Sequence, residues 1–299
     1  MPPSSLRLGI DLGGTKTEIL VLAPGGVERW RKRVATARDY DGTIRTLTEL
    51  VREAEAQCGG EASLGIAIPG CETPQGVIKN ANSTWLNGKP FHHDLETSLG
   101  RAVRLANDAN CFALSESHDG AAAGASVVFG VIAGTGLGGG VVVHGKVLEG
   151  AHGVGGEWGH IPLPAPSLEE VAHAPACYCG KRGCMESWCS GPALAAEFKR
   201  ATGRSVAAEE IAASDGSEER AAMDRLVDRL ARGLAIVVNI LDPDVIVLGG
   251  GLSNVARLYD DLPPLVEKHA FTLGAPPNIV KNMHGDSSGV RGAAWLWPE

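Results

Sequence analysis

The sequence predicts an α/β protein built as two lobes. Apolar strands alternate with helical patterns along the chain. A strand, glycine turn, strand unit near the N-terminus is repeated in the middle, and 299 residues suffice for roughly two domains with a large core. The chain opens with LRLGIDLGGTKTEILVLA, two apolar strands around a Gly-Gly turn, read as a hairpin of a buried sheet. Ile44, Leu47, Val51 and Ala54 recur at helical spacing, which predicts a helix over 43–57. Strands are expected at 64–68 and 102–106, around a loop-rich segment, CETPQGVIKNANSTWLNGKPF, that carries Asn82, Trp85 and Asn87. In the middle, VVFGVIAGTGLGGGVVV again sets a glycine turn between apolar strands. With Gly13 matched to Gly134, Asp11 falls opposite Ile132, so the turns agree in shape and differ in charge. A helix is expected over 218–241, with Met223, Leu226, Leu230, Leu234, Val237 and Leu241 on one face, and VIVLGGG after it reads as a strand running into a third glycine turn.

With 44% apolar and 21% charged residues and a net charge of −8, the chain has the composition of a soluble globular protein and lacks the basic excess of a nucleic-acid binder. The basic cluster Arg29, Arg31, Lys32 and Arg33 reads as a solvated strand face. The uncharged run at 127–143 is shorter than the ~20 residues a membrane helix needs, and six of its residues are glycine. No targeting segment is evident, so the cytoplasm is the expected location and no membrane partner is expected.

Seven cysteines are an odd number, and in a reducing compartment a disulfide framework explains CYCGKRGC poorly. Cys177, Cys179 and Cys184 supply three thiolates, while structural zinc takes four ligands. From spacing alone the fourth is open: His173 is the local candidate and His160 a more distant one. Cys58, Cys71, Cys111 and Cys189 are scattered and read as buried thiols.

Three glycine turns follow apolar strands: DLGGTKT with Gly13, Gly14, Thr15, Lys16 and Thr17; AGTGLGGG with Gly134, Thr135 and Gly136; and LGGGLSN with Gly249, Gly250 and Gly251. Glycine lets backbone N–H groups approach an anion, so such turns can cradle phosphates, and Thr15, Lys16 and Thr17 can donate to phosphate oxygens. None has the GxxxxGK[ST] or GxGxxG spacing of the common nucleotide loops. A hydroxyl is a weak acid, so phosphoryl transfer to one benefits from a carboxylate that accepts its proton. Asp108 in LANDAN is the candidate, beside the alternative of a helix-capping aspartate.

Taken together, the glycine turns resemble the actin/hexokinase-type ATPase fold, with ribonuclease H-like lobes. DLGGTK, GTGLGGG, GGEWGH and CYCGKRGCME together resemble the ROK family of sugar kinases and related repressors, from Leu6 to the C-terminus. KNANSTWLNG, LANDANC, NILDPDVIVLGGG and HGDSSGVRGAAWLW resemble its fructokinase/mannokinase branch. The resemblance implies a small lobe over 1–115, a large lobe over 116–287 with a zinc-binding loop at 160–186, and a final helix near 288–296 that crosses back to the small lobe. It implies Asp108 as general base, Asp11 near magnesium and the transferring phosphate of ATP, and Asn82, Asn107, Glu157, His160 and Glu186 on the sugar. It also implies His160 as the fourth ligand of a structural zinc, and a homodimer. The expected activity is ATP-dependent phosphorylation of a hexose, fructose first, with glucose or mannose as alternatives. A sugar-responsive repressor is the rival within the family, but only five residues precede Leu6 and leave no room for a helix-turn-helix. A catalytically dead sugar-binding module is the other rival, and the intact Asp11, Asp108 and glycine hairpins weigh against it.

Overall fold

The structure, a computed structural model, describes residues 6–271 and 274–298. Its first half contains β1 (Arg7–Leu12), β2 (Lys16–Ala23), β3 (Val27–Ala35), α1 (Tyr40–Cys58), β4 (Ser63–Ile68), the short β5 (Cys71–Glu72) and β6 (Ile78–Lys79), α2 (Phe91–Leu99), β7 (Arg104–Asn107) and α3 (Asp108–His118). The second half contains β8 (Val127–Ala133), β9 (Leu137–Val143), β10 (Lys146–Val147), α4 (Leu168–Ala172), α5 (Met185–Cys189), α6 (Gly191–Thr202), α7 (Ala208–Ala213) and α8 (Ser217–Leu241). It closes with β11 (Val245–Gly249), α9 (Arg257–His269), β12 (Ile279–Lys281) and α10 (Ser288–Ala294).

Each half builds a five-stranded sheet of the same topology: β3-β2-β1-β4-β7 and β10-β9-β8-β11-β12. In both, the hairpin pairs antiparallel and the last two strands join parallel to its first strand. The repeat legible in the sequence is thus a repeat of whole sheets. The basic face of β3 lies on the edge of the first sheet, where Arg31 and Arg33 pair with Glu18 and Lys32 with Glu53. Charge on an edge strand discourages pairing with another chain.

Two helices run between the sheets, α10 against the first and α3 against the second, and they pack on each other. Glycines make this close approach possible. A Cβ on Gly65 would overlap the Ala293 carbonyl, one on Gly140 the Ala109 carbonyl, and one on Gly292 the Cys111 carbonyl. After α10 the chain stays on the first sheet: Trp297 Nε1 donates to the Leu64 carbonyl at 2.7 Å and Arg104 to that of Leu296 at 2.6 Å. The lobe boundary expected at 115 falls inside α3, whose body packs on β8 and β9 of the second sheet.

Element ends follow local chemistry. Asp39 caps α1 by accepting from Gly42 N at 2.7 Å, and Gly59, at φ 77°, ends it, so the helix is longer than the expected 43–57. The strand expected at 102–106 starts two residues later and includes Asn107. Val103 is drawn out of the ladder because its N–H donates to Glu96 and its carbonyl contacts His92. Among the described residues no helix is long and apolar enough to cross a membrane.

Candidate active site and cysteine cluster

Asn107 and Asp108 sit where β7 gives way to α3. The Asn107 side chain caps the helix, its Oδ1 accepting from Ala109 N at 2.9 Å, and its Nδ2 donates to the Gly70 carbonyl at 3.0 Å. That leaves one amide hydrogen for a ligand, so Asn107 mainly fixes the place of its neighbour. Asp108, the first residue of α3, accepts from Ala109 N at 2.8 Å, and its side chain is open to solvent. Burial of its surroundings and the Glu157 carboxylate nevertheless push its carboxyl above the usual range. Solvent contact combined with desolvation marks the floor of a cleft.

Asp11, at the end of β1, faces the same cleft. Burial, then the carboxylates of Asp108 and Glu18, push it up to about 7. Carboxylates that raise one another in a concave site favour a cation. Asp11 also meets the start of α10, since a Cβ on Gly289 would lie 2.9 Å from its Oδ2. The donor set suits magnesium, which takes oxygen ligands and would complete its shell from phosphate oxygens and water.

The glycine turns line this region unequally. In the first, Gly13 N donates to the Lys16 carbonyl at 3.0 Å, and Thr15 and Lys16 are exposed. Thr17 is corrected: it is buried, its hydroxyl bonded to that of Thr36 at 2.9 Å, while Thr36 donates to the Gly13 carbonyl at 2.8 Å. The Thr17 hydroxyl therefore braces the hairpin from behind. The second and third turns abut, with the Cβ position of Gly134 3.6 Å from Gly251 N. Thr135, Gly250 and Gly251 are exposed there. Gly249 is a second correction, being buried against the Phe112 ring, which a Cβ would strike at 2.5 Å. Its Cα face serves packing of α3.

Asn82 is exposed and lies over the first turn, its Oδ1 3.8 Å from the Cβ position of Gly14. Asn87 and Trp85 are staples of that loop: Asn87 bonds both backbone groups of Ala81 at 2.9 Å, and Trp85 Nε1 donates to Thr43 at 3.0 Å. Glu186 reaches the second turn, where its Oε2 accepts from Leu137 N at 3.0 Å. Glu157 is exposed on the turn before His160, with its Oε2 4.0 Å from His160 Nε2.

His160, Cys177, Cys179 and Cys184 converge, their ligand atoms all within 4.8 Å of one another. Cys177 Sγ is 3.5 Å from His160 Nδ1 and Cys179 Sγ 3.6 Å from Cys184 Sγ. With Zn–S near 2.3 Å and Zn–N near 2.0–2.1 Å, tetrahedral edges come to about 3.5–3.8 Å, so the donors and their spacing fit zinc. His160 is the histidine that lies with the three cysteines, while His173 lies outside the group, its Nδ1 3.0 Å from the Glu169 carbonyl. Of the other cysteines, Cys111 and Cys189 are buried as expected, while Cys58 and Cys71 are half-buried.

The segment before the cysteines is tied to α8. Arg229 and Arg232 both hold Glu170, Arg229 also pairs with Glu197, and the Arg229 guanidinium lies 4.4 Å over the Trp188 ring. These arginines hold the Glu170 carboxyl down to about 2. The groove of about 420 Å³ beside them is lined by mutually paired charges, and it includes none of the cleft carboxylates.

Sequence reasoning passed over Tyr178, which stands between two of the cysteines. Its hydroxyl lies 2.9 Å from His160 Nε2, the ring nitrogen that Glu157 Oε2 approaches to 4.0 Å. The residue was in plain view within CYC, but only the fold brings it against His160.

Residues 7–299 match the ROK family. The chain is 42% identical over 301 residues to an N-acetyl-D-glucosamine kinase of Vibrio cholerae, covering 96% of this chain and 98% of that one. It is 41% identical over 296 residues to one of Pectobacterium atrosepticum, covering 96% and 97%. Among solved structures, the ROK hexokinase of Thermus thermophilus superposes with a TM-score of 0.86 at 34% identity, covering 97% of each chain. A Streptomyces griseus ROK glucokinase solved with glucose and AMPPNP gives 0.75 at 26% identity, covering 97% and 98%. The chain belongs to the ROK family.

Proposed function

We propose that the protein is an ATP-dependent sugar kinase that phosphorylates an N-acetylhexosamine, N-acetyl-D-glucosamine first, at its primary 6-hydroxyl. The observation that carries this reading is the likeness to N-acetyl-D-glucosamine kinases along nearly the whole chain. The expected fructose preference finds no counterpart among these relatives. Glucose remains the second reading because of the likeness to the Streptomyces griseus glucokinase solved with glucose.

The cleft supports phosphoryl transfer. Asp108 accepts the proton of the attacking hydroxyl, and its raised carboxyl makes it a stronger base than an ordinary aspartate. The α3 cap at Asn107 holds it in place. Glu157, Glu186 and Asn82 offer acceptors to sugar hydroxyls, while Gly13 to Lys16, Gly134 to Gly136 and the Gly250–Gly251 turn receive the nucleotide. Magnesium beside Asp11 neutralises charge on the phosphates when bound. Zinc on His160, Cys177, Cys179 and Cys184 is structural, because four protein ligands leave no open position. The assembly is a homodimer, as the family resemblance implies.

A panel of N-acetyl-D-glucosamine, glucose, mannose and fructose, assayed with ATP and magnesium, tests the substrate. The highest kcat/KM is expected on the acetamido sugar. A higher value on fructose or glucose would return the substrate to a plain hexose, and metal analysis should find about one zinc per chain.

A further inference from the structure

Tyr178 combines exposure with a fixed position. It is 77% exposed, more than any other aromatic near the cleft carboxylates, yet its ring is set edge-on to His160, with centroids 5.1 Å apart and planes at 84°. Its hydroxyl touches His160 Nε2 at 2.9 Å, and the opposite ring nitrogen, Nδ1, faces Cys177. With Nδ1 given to the metal side, Nε2 carries the ring hydrogen and donates to the phenolic oxygen. The phenolic hydrogen is then left to be donated onward. Glu157, a carboxylate offered to the sugar, comes within 4.0 Å of the same His160 Nε2.

Hydroxyls of a sugar are satisfied by carboxylates, whereas an acetamido group also brings a carbonyl acceptor and a methyl that requires apolar contact. We propose that Tyr178 is a specificity-determining residue that binds the acetamido group of the substrate, its hydroxyl donating to the acetyl carbonyl and its ring packing against the methyl. This rests on the N-acetylhexosamine reading above. The metal loop then acts on specificity: the cysteines on either side of Tyr178 fix its backbone, and His160 fixes its tip.

The test is calorimetric binding of N-acetyl-D-glucosamine and of glucose to the wild type, Tyr178→Gly and Tyr178→Phe, with zinc content measured for each. The wild type is expected to prefer the acetamido sugar. In Tyr178→Gly that preference should fall about tenfold, the loss expected from one hydrogen bond plus one apolar contact, with zinc retained. Tyr178→Phe keeps the ring and should lose roughly threefold of the preference, so it carries the test if glycine disturbs the metal loop. A wild type with no preference for the acetamido sugar overturns both the substrate reading and the role of Tyr178. A wild type that has the preference, with variants that keep it or weaken both sugars equally, overturns only the role of Tyr178.

Discussion

The two sheets share one strand order, but their hairpins end differently. In the first, Asp11 precedes the glycine turn and is pushed up to about 7 by burial and by Asp108. In the second, the matching position is Ile132, and the turn of Gly134 packs against Gly251 in the turn after β11. The helices that follow the fifth strands differ in the same way. α3 opens with Asp108, exposed into the cleft, whereas α10 opens with Ser288, buried and donating to Glu116 at 2.8 Å. Repetition supplies two glycine turns that can face phosphates. The reactive carboxylates all lie where the repeat is broken, which is where a second copy of the same unit would be useless to chemistry.

If that asymmetry carries function, Asp108→Asn should cost most. The isostere keeps the α3 start, so sugar affinity should hold while kcat falls by ~10²–10⁴, the usual loss of a general base. Steady-state kinetics beside equilibrium sugar binding will show it, and a variant within a few-fold of wild-type turnover would place the base elsewhere.

The glycine turns should be equivalent in what they bind and unequal to the carboxylates in what they do. Gly134→Val puts a branched side chain against Gly251 and is expected to weaken nucleotide affinity about tenfold or more, with sugar affinity changed far less. Equal losses for both ligands would make this turn a structural element only.

The smallest effect is one of stability. Asp11 has a folded-state value near 7 against an ordinary 3.8, so the folded protein holds its proton more tightly than the unfolded chain does. The resulting penalty is absent at acid pH, grows as pH rises, and is complete above about 7. Asp11→Asn should therefore raise the Tm of the ligand-free protein, by more at about pH 8 than at about pH 5, each ~1 kcal/mol relieved reading as roughly 2–4 °C. It should weaken nucleotide binding in the presence of magnesium at the same time, a trade of function against stability. A Tm unchanged across this range would mean that Asp11 is not destabilising.

Much of this was legible in the sequence because it depends on local pattern. Hairpins, α8 with its apolar stripe, and the glycine turns declare themselves within a few residues. α3 did not, because Ala109 to Ser117 are all buried and a helix enclosed on every side shows no polar face. Thr17 and Gly249 were misread for a related reason: their residue types suit a phosphate site, and only the packing of Thr36 and Phe112 shows which way they face. The cysteine spacing announced a metal site but left its fourth ligand open, since His160 and His173 are separated by folding rather than by sequence.

The pH dependence of kcat, measured with saturating ATP, magnesium and N-acetyl-D-glucosamine, tests most directly whether the carboxylate at the broken end of the repeat does the chemistry. Asp108 must be ionised to accept a proton, and its carboxyl is raised by burial and Glu157. The wild-type rate is expected to climb with pH along an acid limb centred above the usual carboxylate range and then level off. In Asp108→Asn that limb should vanish, leaving a low rate that rises only with hydroxide. The same acid limb in the variant as in the wild type would contradict the assignment.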